Sequence, residues 1–153
     1  MTGFAKTQTS SDTVNLTEVF RTCRGFGRRM PEAGRCSIVN IGSMSAEIVN
    51  VPQPQCHYNA SKAGVHHLTK SLAVEWAKRG VRVNAVAPTY IETPLLKELG
   101  GTPGLVSRWL DMTPAGRMGQ PHEIASVVQF LASDAASLLT GSVVVADAGY
   151  TCI

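Results

Sequence analysis

Three stretches with a helical hydrophobic period alternate with three short apolar runs rich in β-branched residues, and this alternation constrains the chain most. Over 12–30, Leu16, Val19, Phe20, Cys23, Phe26 and Met30 recur at helical spacing until Pro31 and Gly34 end the pattern. The run 37–41, Ser-Ile-Val-Asn-Ile, has the character of a buried strand. A second helix is predicted over 56–79, with Val65, Leu68, Leu72 and Trp76 on one face and Gly80 as its stop. Residues 81–87 read as a second strand closed by Pro88. Pro121, tolerated at a first helical position, opens a third helix whose core face is Ile124, Val127, Val128 and Leu131. Residues 142–146 form the last strand. Between 88 and 118 prolines and glycines break the pattern, so an irregular lobe with one or two short helices is expected.

Such alternation implies parallel strands joined by crossover helices. A doubly wound nucleotide-binding sheet has about six strands, and three are visible. The expected fold is therefore α/β: a partial Rossmann-like, doubly wound parallel sheet of about three strands, its N-terminal strands missing. Residues 1–11 are polar and unpatterned and are expected to be loose, leaving 12–153 as a single truncated domain.

Fourteen Lys and Arg against eleven Asp and Glu leave a net charge of +3, too little to argue for a nucleic-acid or membrane partner. No apolar run approaches the roughly 18 residues of a membrane span, and the opening segment has no apolar core of a secretory signal. Cys23, Cys36, Cys56 and Cys152 lack Cys-x-x-Cys spacing and are expected to be buried, reduced thiols of a cytoplasmic protein. His66 and His67 are adjacent on a helix and point about 100° apart, so no chelating pair and no metal site is expected. Arg21, Arg24 and Arg28 read as a solvated helix face, and His57 as a loop-edge residue beside Tyr58. No Gly-x-Ser-x-Gly elbow supports a hydrolase built on Ser43 and His57.

The chemistry centres on Ser43, Tyr58 and Lys62. Tyr58 and Lys62 are four apart on a helix and share a face. A phenol ordinarily titrates near 10, and an adjacent ammonium or a helix N-terminus favours its phenolate. Ser43 follows a strand, at the carboxyl end where α/β sheets place ligands. This set suits moving a proton on and off an alcohol oxygen while hydride leaves or reaches its carbon. Alone, Tyr-x-x-x-Lys is weak, since a surface pair on an amphipathic helix gives the same spacing.

The surrounding residues decide the reading. Ile38-Val-Asn-Ile-Gly-Ser43, Tyr58-Asn-Ala-Ser-Lys62-Ala-Gly64, Leu68-Thr-Lys-Ser-Leu-Ala-Val-Glu-Trp76 and Val81-Arg-Val-Asn-Ala-Val-Ala-Pro88 closely resemble the short-chain dehydrogenase/reductase family. Val14-Asn-Leu-Thr17, Ile91-Glu-Thr93 and Leu139-Thr-Gly141 follow in the family's order, so the resemblance covers about 12–153. It implies Tyr58 as general acid/base, Lys62 as its ammonium partner and holder of the nicotinamide ribose, and Ser43 as the hydroxyl orienting the substrate oxygen, with Ser45 a close competitor. Asn15 matches the asparagine that joins a water relay to the lysine. Pro88, Thr89, Ile91 and Thr93, together with Tyr58 and Lys62, match the cofactor-contacting positions, and 94–112 the lobe over substrate.

The implied activity is NAD- or NADP-dependent oxidation of a secondary alcohol or reduction of a ketone. The Ser43-Met-Ser45 loop, the Pro52-Gln-Pro-Gln55 run and the Gly149-Tyr-Thr151 ending look most like members acting on sugars and polyols. The implied partners are a small alcohol or ketone and a second subunit, since the helices matching 12–30 and 56–79 pack against a sister chain in the family. That implies a homo-oligomer or association with a full-length relative.

The family's Thr-Gly-x-x-x-Gly-x-Gly turn is absent. Thr2-Gly3 is not followed by glycines at that spacing, and Gly25-Phe-Gly27 lacks a third glycine and lies in a helical stretch. Weak dinucleotide binding and feeble turnover are therefore expected of these 153 residues. Two other readings follow: a non-catalytic oligomerisation module, or a non-functional fragment whose open strand edge at 37–41 lowers solubility. Glu18, Ala46, Thr89 and Ala148 stand where the family commonly has glycine, and Thr89 is the one expected to disturb the nicotinamide edge of the site.

Overall fold

A computed structural model describes residues 12–30, 36–94, 96 and 104–153. The segment 1–11, expected to be loose, lies outside the described residues. A π-helical turn, Asp12–Thr17, runs into α1 (Glu18–Gly27). Strand β1 (Cys36–Ile41) is followed by α2 (Cys56–Trp76), a 3-10 turn at Ala77–Arg79 and β2 (Val81–Pro88). Then come α3 (Leu105–Asp111), α4 (Pro121–Ala132) and β3 (Val143–Ala146).

The strands form one parallel sheet in the order β1-β2-β3. Cys36 faces Val81 at one end of the first ladder and Ile41 faces Val86 at the other, while Ala85 to Pro88 face Val143 to Ala146. Helices carry both parallel crossovers, so the expected α/β architecture with a three-stranded sheet is what the chain adopts. β1 is the edge strand on one side of this sheet.

β2 lies in the middle, and its near-continuous apolar sequence follows from that position. Val81, Val83, Ala85, Val86 and Ala87 are all buried. Asn84 is buried among them because both ends of its amide are bonded: Nδ2 donates to Leu139 O at 2.9 Å and Oδ1 accepts from Ser142 N at 3.0 Å. The core behind the sheet gathers Cys23, Leu72, Ala73, Trp76, Val81 and Val83, and each large apolar side chain buried there stabilises by about 1.5–3 kcal/mol.

Several expectations need correction. Phe20 and Phe26 are exposed, because α1 meets its neighbours along the Val19–Cys23 line and leaves a phenylalanine in solvent on either side. On α4 only Leu131 is fully buried, and Ile124, Val127 and Val128 are half-buried. The helix docks through its C-terminal end, where Leu131 O accepts from Ser37 Oγ and the Arg82 guanidinium. All four cysteines are free, but only Cys23 is buried, while Cys56 and Cys152 are exposed. Among the described residues no helix is long and apolar enough to cross a membrane.

Candidate active site

Ser43 stands just past β1 as the N-cap of a 3-10 turn, Met44–Ala46. Its Oγ accepts from Ser45 N–H at 3.1 Å. A serine hydroxyl has one proton and two lone pairs, so this bond leaves the proton available to a substrate oxygen. Tyr58 lies in the first turn of α2, where the helix dipole favours negative charge. Lys62 follows one turn later and is buried. Its Nζ donates to Ile41 O at 3.0 Å and lies 5.7 Å from the centroid of the Tyr58 ring. Burial pushes the Lys62 pKa below the ordinary lysine value.

Ser43, Tyr58, Thr89, Ile91 and Thr93 line a single cavity of about 610 Å³. Pro88 ends β2 opposite Ala146 and does not line it. Lys62 and Asn15 line a neighbouring groove between α1 and β1. Asn15 is held by the π-helical turn, and its Nδ2 donates to Ser61 Oγ at 3.1 Å. Ser61 Oγ in turn donates to Tyr58 O at 2.8 Å. Ser43 and Tyr58 therefore line one cavity and Lys62 and Asn15 an adjacent groove, with the ammonium 5.7 Å from the Tyr58 ring.

Residues 6–151 match the family model described as enoyl-(acyl carrier protein) reductase. The chain belongs to the short-chain dehydrogenase/reductase family. It is 59% identical over 139 residues to galactitol 2-dehydrogenase of Rhizobium johnstonii, covering 91% of this chain and 54% of that protein. The crystal structure of gox2181 superposes with a TM-score of 0.95 at 55% identity, covering 100% of this chain and 59% of that one. A gluconate 5-dehydrogenase of Burkholderia cenocepacia, solved in complex with NADP and tartrate, superposes at 0.85 with 35% identity, covering 92% of this chain and 54% of that one. The chain spans about half the length of the curated relatives it matches.

Within this short-chain dehydrogenase/reductase fold, Thr89 extends β2 without a left-handed backbone. Its N–H donates to Ala146 O at 3.2 Å, continuing the β2–β3 ladder, and its φ is not positive. Its Oγ1 is buried and has no hydrogen-bond partner among the described residues. Ala148, another position where the family commonly has glycine, takes a positive φ of 56°.

The cavity wall also holds Tyr90 and Trp109, which sequence reasoning did not single out. Tyr90 stacks on Trp109 of α3, with ring centroids 4.1 Å apart and planes 10° from parallel. Trp109 Nε1 donates to Gln53 Oε1 at 3.3 Å, and Gln53 Nε2 donates to Tyr90 Oη at 3.0 Å. Asn50 Nδ2 donates to the same hydroxyl at 3.1 Å. Gln55 Nε2 donates to Ser45 Oγ at 3.3 Å, so this hydroxyl, like that of Ser43, accepts one bond and keeps its proton. The Pro52-Gln-Pro-Gln55 run was the available signal. Tyr150 offers no alternative base: burial and its neighbour Tyr90 push its pKa up to about 12.

Proposed function

We propose that this site interconverts a secondary alcohol of a polyol or sugar with the corresponding ketone, using NAD or NADP. The observation that carries this reading is that Ser43 and Tyr58 line one cavity while the Lys62 ammonium lies 5.7 Å from the Tyr58 ring. Ser43 Oγ donates to the substrate oxygen and holds it toward Tyr58. Tyr58 Oη takes the hydroxyl proton in oxidation and returns it in reduction. The charge of Lys62 stabilises negative charge on the Tyr58 oxygen.

The residues present fit a nicotinamide. Thr89 Oγ1, without a hydrogen-bond partner among the described residues, supplies a hydrogen-bonding group at the cavity edge, where Ile91 and Thr93 also lie, and Lys62 and Tyr58 would hold the ribose. When bound, the dinucleotide accepts or supplies the hydride. A polyol fits the wall. Gln53 and Gln55 bring amides to the same cavity, and the Tyr90–Trp109 stack gives an apolar face for a carbon chain. The similarity to a galactitol 2-dehydrogenase supports the same class.

The test begins by titrating the chain with NADH and NADPH, followed by fluorescence. Oxidation of galactitol is then followed by appearance of the reduced cofactor. Tyr58→Phe is expected to lower turnover by roughly 10²-fold or more, the usual range for a lost general acid/base. Undiminished turnover in that variant, or no nicotinamide binding by the wild type, would refute the proposal.

A further inference from the structure

His66 is a buried titratable side chain that the chemistry above does not use. It lies four residues beyond Lys62 and eight beyond Tyr58 on α2, so the three share one helix face. Its Nδ1 sits 2.8 Å from Glu47 Oε1, and its Nε2 faces the backbone N–H of Ser43 at 3.4 Å. An ionised carboxylate only accepts, and a backbone N–H only donates. Both contacts are satisfied together by one form of the ring: neutral, with its proton on Nδ1 and its lone pair on Nε2.

The residue before Ser43 explains how the ring fits. A Cβ at Gly42 would collide with the His66 ring, so the imidazole occupies space that only glycine leaves open. Gly42 N donates to Val86 O at 2.8 Å, anchoring the turn to β2. From the other side α2 grips it twice, through Lys62 at Ile41 O and through His66 at Ser43 N.

We propose that His66, oriented by Glu47, is a positioning residue that fixes the turn at 41–43 and so aims Ser43 Oγ into the cavity it shares with Tyr58. The proposal deepens the functional reading and rests on it. His66 makes no contact with substrate in this role; it acts through the Ser43 backbone.

The first measurement uses the wild-type chain labelled with ¹⁵N-histidine. Long-range ¹H–¹⁵N correlations are expected to show His66 neutral with its proton on Nδ1; a proton on Nε2 would overturn the proposal. The second compares His66→Leu with His66→Gln. The glutamine carbonyl can accept from Ser43 N–H while its amide donates to Glu47, and leucine can do neither. Loss of one net hydrogen bond corresponds to about tenfold. Ser43 amide exchange is expected to quicken about tenfold in His66→Leu and to recover in His66→Gln. Turnover number should fall and recover in parallel, with the KM for cofactor unchanged. Equal exchange in His66→Leu and wild type, or no recovery with glutamine, would overturn it. The tautomer and exchange readings require no turnover. A wild type with the expected tautomer but no alcohol oxidation would therefore count against the functional reading alone.

Discussion

The ammonium of Lys62 donates to the carbonyl of Ile41 at 3.0 Å, so the charged partner of the proposed base is tied to the strand end that carries Ser43. The bond is bought with burial, and the cost appears as a pH dependence. Burial depresses the native pKa of Lys62 below 10.5. Between the depressed and ordinary values the unfolded chain binds more protons, so stability rises with pH there. The penalty is fully present below the native pKa and gone above the unfolded one. Lys62→Met should lack this rise. In urea melts from neutral pH toward 10.5, wild type should gain stability relative to the variant, and a constant difference would contradict this.

Thr89 Oγ1 is buried without a hydrogen-bond partner among the described residues. An unsatisfied buried group costs about 1–3 kcal/mol. Thr89→Val keeps the branched shape and removes the group, so the cofactor-free chain should gain about 1 kcal/mol in denaturant unfolding. If the hydroxyl serves a nicotinamide, the same variant should bind NADH and NADPH more weakly. A loss of stability would show that the hydroxyl is satisfied.

Ala148 holds φ at 56°, a region costing about 1–2 kcal/mol for an L side chain. Ala148→Gly relieves that strain but adds freedom to the unfolded chain. The net gain should be about 0.5–1 kcal/mol, read as a higher denaturation midpoint at unchanged slope. No gain would mean that the methyl contributes packing equal to the strain.

Glu123 stands in the first turn of α4. Hydrogen bonds from Arg117 and from Gln120 N–H hold its carboxyl down to about 2 from an ordinary 4.5. The native value is depressed, so its stabilising contribution is complete above the unfolded value and is lost as pH falls from 4.5 toward 2. A carboxyl ¹³C titration should place its midpoint near 2, and a midpoint near 4.5 would show the contacts to be transient. Arg117→Ala should move it upward.

The strands were legible because buried parallel strands need β-branched apolar runs, and 81–87 is such a run almost without interruption. Tyr58 and Lys62 were legible because helical spacing alone sets their common face. His66 was not. Spacing puts it on the same face, but its burial and its contact with the Ser43 N–H depend on how the turn after β1 packs against α2. The Tyr90–Trp109–Gln53 cluster was hidden for a related reason: Trp109 and Gln53 are 56 residues apart and meet only in the folded chain. The helical stripe on α1 was read too wide, because periodicity shows which side is apolar but not how much of it a partner covers.

Trp76 of α2 presses against Gly27 of α1, and Leu16 from the turn before α1 presses against Gly64 of α2. Each helix thus offers the other a notch, and the two notches sit at opposite ends of the crossing. One anchor would let α1 pivot, whereas two separated anchors permit neither sliding nor rotation. Asn15 adjoins one of them, so its reach toward Ser61 is indexed by a tryptophan at the far end of the contact. A methyl group added at Gly27 would be felt, through the tilt of a whole helix, at the polar groove beside Lys62.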